Sequence, residues 1–470
     1  MLDFAIFAVT FLVSLLGLLI YLYPGSAKPS TIPGLEPTTQ EDGNVSDIKR
    51  AGSLHEFLLD LHRQFGSIVS FWIGREYIVS IASPELFKEH QGVFDRPPSM
   101  YKMFEPLIGP KSIQFANKSD GRTRRNVYDK AFSHDTIKCY YQTYQDVADD
   151  LAKKWSSLVK EEHVPLSIHM FAYALKISLI TMFGKTFSND KDILEFQHCY
   201  DVIWSEMERR LTENEPEKGS PREKAFEEGL EKATSLIKKV VKERRDNPPI
   251  QGQELIIDFI INLSGNDDEL ITSDALTYAV GGFHTTGNVL TWGFYFLATH
   301  PELQEKAFQE IKKELKNQEV DHTNLDALPY IRQVVDETLR CAVVAPHAAR
   351  FQDFDSELGG HKIPKNTPVI QALGVLLKDE KYWPLPNKFD PDRFSPENVK
   401  TRPPMTFQPF GFAGKRVCPG YRFAYAEATV CLVTLLRKFK VKLVDDQVVN
   451  PIHGLVTHPE EEIWINIEKR

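Results

Sequence analysis

The sequence predicts a mainly α-helical protein with minor β structure, preceded by one N-terminal transmembrane helix. Three observations carry this. Helical apolar periodicity dominates from about Ser53 onward. Runs of β type are short, the clearest lying on either side of Gly74-Arg75-Glu76. The opening stretch 4–23, FAIFAVTFLVSLLGLLIYLY, holds no charge, and twenty helical residues rise about 30 Å, one hydrocarbon core.

Each element follows in order. Tyr21 and Tyr23 suit an interfacial belt at the end of the span. A cleaved signal peptide would need a basic start and a shorter apolar run, whereas Asp3 is the only early charge. Lys28 after the span favours a cytosolic body. Pro24, Gly25, Pro29, Pro33 and Pro37 make 24–50 a stiff, non-helical tether, leaving 51–470 as the functional body. Ser83-Pro84-Glu85 caps a helix, with Pro at its first position. The charge-rich stretch 206–245, interrupted at Pro216, Gly219 and Pro221, reads as a solvated loop and an exposed helix. A long apolar helix is expected from near Ser273 to Ala298, with Gly281, Gly282, His284, Thr285 and Thr286 at its centre. Paired glycines cost roughly 1 kcal/mol each in a helix, so they point to close packing, a kink or a ligand. A proline-rich irregular stretch from Pro384 leads to the cysteine-bearing segment, and helical periodicity returns from Tyr421 to about Phe439.

Composition narrows the function. A formal net charge of -9 argues against nucleic acid as a partner. Five scattered cysteines, Cys139, Cys199, Cys341, Cys418 and Cys431, with no C-x-x-C pair, argue against a disulfide framework and a cysteine zinc site. The bulk of the chain is therefore expected to face a reducing compartment. Cys418 stands apart in FQPFGFAGKRVCPGYRFAYAE, residues 407–427. A thiolate there would be favoured by Arg416 and by the helix start just after it. Gly411, Gly414 and Gly420 let backbone approach a flat ligand closely. On this stretch alone, a soft metal ligand and a buried structural cysteine both remain open.

The stretch resembles the haem-binding loop of the cytochrome P-450 superfamily, F-x-x-G-x-R-x-C-x-G. Gly414, Arg416, Cys418 and Gly420 match in register, but Phe410 lies one residue too far upstream. DETLR supplies Glu337 and Arg340 of an E-x-x-R pair, and FDPDRF supplies Arg393. The glycine-centred helix matches A/G-G-x-D/E-T-T/S at Gly281, Gly282, Thr285 and Thr286. Within the superfamily, MLDFAIFAVTFLV, GSLHEFLLDLH, HVPLSIHM and WPLPNKFDPDRF are similar to animal family twenty, subfamily A, a resemblance that implies no particular substrate.

The resemblance implies the cytochrome P-450 fold and haem b, with its iron bound by the Cys418 thiolate. It implies insertion of one atom of O2 into a lipophilic small molecule. Glu337, Arg340 and Arg393 would form a buried ionic cluster under the haem. Thr285 would serve the bound oxygen. His284 stands where the pattern has Asp or Glu, so it either relays protons or stays neutral against helix backbone while water delivers them. Arg125, Arg416 and His347, or Arg350 in its place, would bind the haem propionates. Gly121 stands where that pattern has tryptophan. No flavin or nicotinamide fingerprint is present. Electrons would therefore come from NADPH-cytochrome P-450 reductase, alone or with cytochrome b5. A basic face of Lys415, Arg122, Arg124, Arg437, Lys438 and Lys440 is the candidate docking surface. The resemblance further implies a single-pass endoplasmic-reticulum membrane protein in contact with lipid, its catalytic domain cytosolic. A reductase-independent enzyme rearranging peroxides and a non-catalytic haem- or ligand-binding protein are the competing readings.

Overall fold

The computed structural model describes residues 30–470, apart from 160–161, 188 and 211–215, together with Phe11, Ser14 and Leu15. The expected anchor, 1–23, lies almost wholly outside the described residues. The tether is corrected from Ser30 on. Ile32 is buried against Trp72 and Tyr77, Leu35 N–H donates to Ser70 at 3.0 Å, and Val45–Ala51 is helical. Asn44 explains the docking: its Nδ2 donates to the Glu36 carbonyl at 2.9 Å and its Oδ1 accepts from Trp72 N–H at 2.9 Å. That stretch is therefore part of the body rather than a free linker.

Helix α1 (Leu54–Phe65) starts at Ser53, whose hydroxyl accepts from Glu56 N–H at 3.1 Å. Strands β1 (Ile68–Ile73) and β2 (Glu76–Ile81) form the expected hairpin, with Ile73 opposite Glu76 across the Gly74-Arg75 turn. Ser83 caps Pro84–His90 as expected. The main helices that follow are α2 (Lys118–Tyr128), α3 (Tyr141–Ser157), α4 (Leu166–Phe183), α5 (Asp190–Arg209) and α6 (Pro221–Asp246). Strand β3 (Val164–Pro165) precedes α4. Then come α7 (Asp268–Thr299), α8 (Pro329–Ala342), β4 (Ala348–Arg350), β5 (Val369–Gln371) and α9 (Tyr421–Lys438). The chain closes with β6 (Phe439–Leu443), the hairpin β7 (Pro451–His453) and β8 (Thr457–Pro459), and β9 (Trp464–Lys469).

One sheet has the order β1-β2-β5-β4, and a second the order β3-β9-β6. Helix α7 begins five residues before the expected Ser273, because the Asp267 carboxylate accepts from Leu270 N–H at 3.0 Å and caps it earlier. It runs through the core against α4, α8 and α9. Helix α4 is, among the described helices, the one long and apolar enough to cross a membrane, yet Met170, Ala174 and Ile177 are fully buried, so it is core. In α6 the charges lie outward while Phe226, Ala233, Ile237 and Val240 are buried.

Candidate active site

Cys418 opens onto a cavity of about 420 Å³ between α7, the cysteine loop and the β4 region. Its exposure is to this internal space, which Cys139, Cys199, Cys341 and Cys431 do not line. The loop is closed by Cys418 N–H donating to the Phe410 carbonyl at 2.9 Å. Gly414 has φ +62°, and a Cβ there would lie 2.5 Å from Phe94 Cα, so the close approach requires glycine. The residue separating Phe410 from the superfamily register is absorbed at Gly411, with φ +73°. Phe410 still reaches the cavity, its ring 5.3 Å from that of Tyr425. Helix α9 starts three residues after the sulfur, and Gly420 N–H points at it. Burial pushes the Cys418 thiol up, while Gly420 N–H and the charges of Arg125 and Arg96 pull it down.

Basic side chains converge on the same space. Arg125, Arg350, Arg416 and His347, all expected, line the cavity, and so does Arg96, which sequence reasoning missed. Arg125 is held by Asp129 at 2.8 Å and by the Val417 carbonyl at 2.8 Å. Arg416 donates to the carbonyls of Ile113, at 3.0 Å, and Ala116. Arg350 donates to the Ala349 carbonyl at 2.7 Å, and Arg96 to Gln114. Among the described residues none of Arg96, Arg350 and Arg416 is ion-paired, and each leaves its buried Nε without a partner, as does His347 Nδ1. Burial and then the neighbouring guanidiniums hold Arg416 down at about 8, and burial holds His347 at about 4. Such a cluster demands an anion. Gly121 is explained by the same packing: a Cβ there would fall 2.6 Å from Arg416 Nη2, so the arginine occupies space that a tryptophan would need.

On α7, Gly281, Gly282, Thr285, Thr286 and Val289 line the cavity. A Cβ on Gly281 would meet nothing within 4 Å, whereas on Gly282 it would fall 2.6 Å from Met182 Cε of α4. Thr285 Oγ1 donates to the Gly281 carbonyl at a long 3.2 Å. His284 differs from expectation. It lines a separate cavity on the far side of α7, where Nδ1 bonds the Tyr200 hydroxyl and its ring lies 4.2 Å from that of Trp204. Burial holds its pKa at about 3, so the ring is neutral near pH 7. A relay into the Cys418 cavity therefore lacks geometry; the ring fits the neutral alternative in its burial, but its partner is the Tyr200 hydroxyl and not helix backbone.

Glu427 is the second residue that sequence reasoning missed. It is 0% exposed on α9, and neither carboxyl oxygen has a hydrogen-bond partner. Thr286 is beside it, its hydroxyl donating instead to the Gly282 carbonyl at 3.3 Å. Burial lifts Glu427 well above the carboxylate range, which favours its neutral form. A lone carboxyl inside YAEATVCLV was the available signal.

Below the cavity, Arg340 donates to both Glu337 oxygens, at 2.7 and 2.8 Å, with both residues fully buried. Arg393 Nε lies 3.3 Å from Glu337 Oε1. Arg340 also donates to the Pro386 carbonyl at 2.8 Å and Asp390 N–H to Glu337 at 2.9 Å, so the irregular segment is pinned to α8. Removing one partner of such a buried pair costs roughly 3–5 kcal/mol. The basic face is less uniform than expected. Lys415 and Arg122 are exposed, but Arg124 bonds Asp120 and the Lys111 carbonyl, Arg437 the Gln318 carbonyl and Lys438 Asp149.

Comparison with known proteins agrees with this geometry. The family model described as Cytochrome P450 matches residues 33–466. The chain is similar to Cytochrome P450 20A1 of Bos taurus and of Homo sapiens, each 36% identical over 470 residues, all of both chains. It is more distantly similar to Cytochrome P450 4F3 of Homo sapiens, 28% identical over 86% of this chain and 84% of that one. A single thiol facing a cation-ringed cavity, a Glu337-Arg340 pair buried beneath it with the half-buried Arg393 alongside, and a full-length family match place this chain in the cytochrome P450 family, the haem-thiolate monooxygenases.

Proposed function

We propose that this monooxygenase acts on a lipophilic small molecule, held to the endoplasmic reticulum membrane by residues 4–23 and supplied with electrons by the NADPH-dependent diflavin reductase, alone or with cytochrome b5. The observation that carries it is that Cys418, the unpaired guanidiniums and Thr285 all face one cavity whose other walls include Val289, Val344, Leu373, Leu455 and Val456.

Haem b fits these residues. Arg96, Arg350 and Arg416, whose Nε atoms lack partners, would hold its two carboxylates. Cys418 is the thiol available to its iron. When bound, haem supplies activation of O2 and insertion of one oxygen atom into a C–H or π bond.

The remaining work belongs to the chain. The Gly420 N–H beside the Cys418 sulfur tempers its electron donation. Gly281 leaves room against α7 for a flat ligand. Thr285 holds its hydroxyl at the cavity by a long bond, free to turn toward a bound group. Glu427, pushed by burial toward its neutral form, lies behind Thr286, which itself lines the cavity. His284, neutral behind the helix, faces a different cavity and is given no role in proton delivery.

The test is turnover of the holoprotein in vesicles with the reductase and NADPH over a panel of sterols, fatty acids and retinoids. Substrate-dependent NADPH oxidation with an oxygenated product supports the proposal. Turnover of peroxides alone would replace it with the rearrangement reading, and no turnover of either kind with the binding-protein reading. Loss of membrane association on deleting residues 4–23 checks the anchor.

A further inference from the structure

A cluster of metal-type ligands lies away from Cys418, where the first helix meets the C-terminal hairpin. His55 and Glu56 stand in the first turn of α1, and His453 ends β7. One donor atom from each lies within 4.8 Å of the others. His453 Nε2 is 3.5 Å from Glu56 Oε1, and the His55 and His453 rings are 4.6 Å apart.

Two details make this more than a polar contact. First, His55 is 2% exposed, and its Nε2 has no hydrogen-bond partner among the described residues. Its other edge is packed, since a Cβ on Gly374 would lie 2.9 Å from His55 Nδ1. A buried imidazole nitrogen without a partner costs free energy unless something binds it. Second, the tautomer of His453 is set by its neighbour. The Thr457 hydroxyl donates to the Val343 carbonyl at 2.7 Å, so its oxygen accepts from His453 Nδ1–H at 3.0 Å. That leaves His453 Nε2 as a lone pair facing Glu56. An outer hydrogen bond that orients a ligating histidine is a recurrent feature of metal sites.

We propose that His55, Glu56 and His453 form a binding site for one divalent transition-metal ion of the zinc class, which clamps the β7–β8 hairpin to α1. Two imidazoles and a carboxylate are a known ligand set for that ion. Bonds of about 2.0–2.2 Å to a tetrahedral ion set ligand atoms roughly 3.4 Å apart, which the His453–Glu56 pair already meets. The fourth position is left to water. Lys378, a nearby ammonium, is turned to the Cys341 carbonyl at 2.9 Å. The clamp reaches the cavity through the hairpin, because its turn residues Leu455 and Val456 line the Cys418 cavity.

The test uses tag-free, full-length holoprotein, stripped with a chelator and titrated with zinc chloride by calorimetry, with the metal content after dialysis as a second readout. The expected result is one zinc per chain at micromolar or tighter affinity. Glu56→Gln and His453→Gln should each weaken it roughly tenfold or more, with haem content unchanged. Zinc should raise the Tm of the wild type and not that of Glu56→Gln, a half-exposed position whose substitution spares the core. Absence of stoichiometric zinc in the wild type, or equal binding by both variants, overturns the site.

Discussion

The two faces of α7 carry the same short sequence to different ends. Gly281, Thr285 and Val289, four residues apart, face the Cys418 cavity. His284 and Asn288, also four apart, face the second cavity behind the helix. Each helical residue turns the direction by about 100°, so neighbours in sequence need not share a site. The front face is open, with space above Gly281 and a weakly held hydroxyl at Thr285. The back face is aromatic, with His284 set among Tyr200, Trp204 and Phe171. A family pattern reads His284 as a substitute for a catalytic acid, whereas the helical period separates it from the chemistry.

Substitutions on the two faces should therefore part company. The largest effect is expected from Gly281→Leu, which projects a side chain into the cavity without a clash in the fold. Turnover should fall roughly a hundredfold through misplacement of the bound ligand, while Tm is unchanged or raised. A Tm collapse instead would mean that the front face is packed. Thr285→Val should come next. Losing one hydrogen bond to a polarised group is worth about 1.5–3 kcal/mol. Product per NADPH oxidised should thus drop roughly tenfold or more, with NADPH oxidation persisting. Gly282→Ala tests the packing between faces: its methyl meets Met182, and stability should fall by about 1–3 kcal/mol in urea unfolding.

Glu427→Gln sharpens the contrast through pH. Burial raises the folded-state pKa of Glu427 above its unfolded value. Between the ordinary glutamate value of about 4.3 and that raised value, the unfolded chain has lost a proton that the folded one keeps. Stability therefore falls as pH rises through that window. The glutamine variant should be more stable than wild type at neutral pH, the gap in Tm closing toward pH of about 4. A gap independent of pH would place a charged carboxylate there. The smallest effect is expected from His284→Ala, which should leave product per NADPH unchanged across pH, whereas a changed ratio would restore the relay.

Local signals made much of this legible. The β1–β2 hairpin, the cap at Ser83 and helix α9 follow from turn residues, an N-cap and periodicity that act over a few neighbours. The Glu337-Arg340 pair is set by i,i+3 spacing on one helix, and Cys418 by its glycine-rich surroundings. What escaped depends on distant packing. Arg96 lies more than three hundred residues before Cys418 and meets it only in the tertiary fold. Gly121 makes sense only once Arg416 is seen to fill its space. The 24–50 segment has linker composition, but from Ser30 on Ile32 and Asn44 dock it to the first sheet. Glu427 is the exception: a lone acid in an apolar helix was visible and carried a meaning that went unread.

The central claim is that the Cys418 sulfur binds haem iron in a cavity whose cations hold the haem carboxylates. Its most direct test is the ferrous–carbon monoxide spectrum of purified wild type beside Cys418→Ser and Arg350→Leu. A thiolate-type band in the wild type, absent from the serine variant, with haem retention reduced in the leucine variant, is the expected result. A wild-type spectrum without the thiolate band, or one unchanged by serine at 418, would contradict the account.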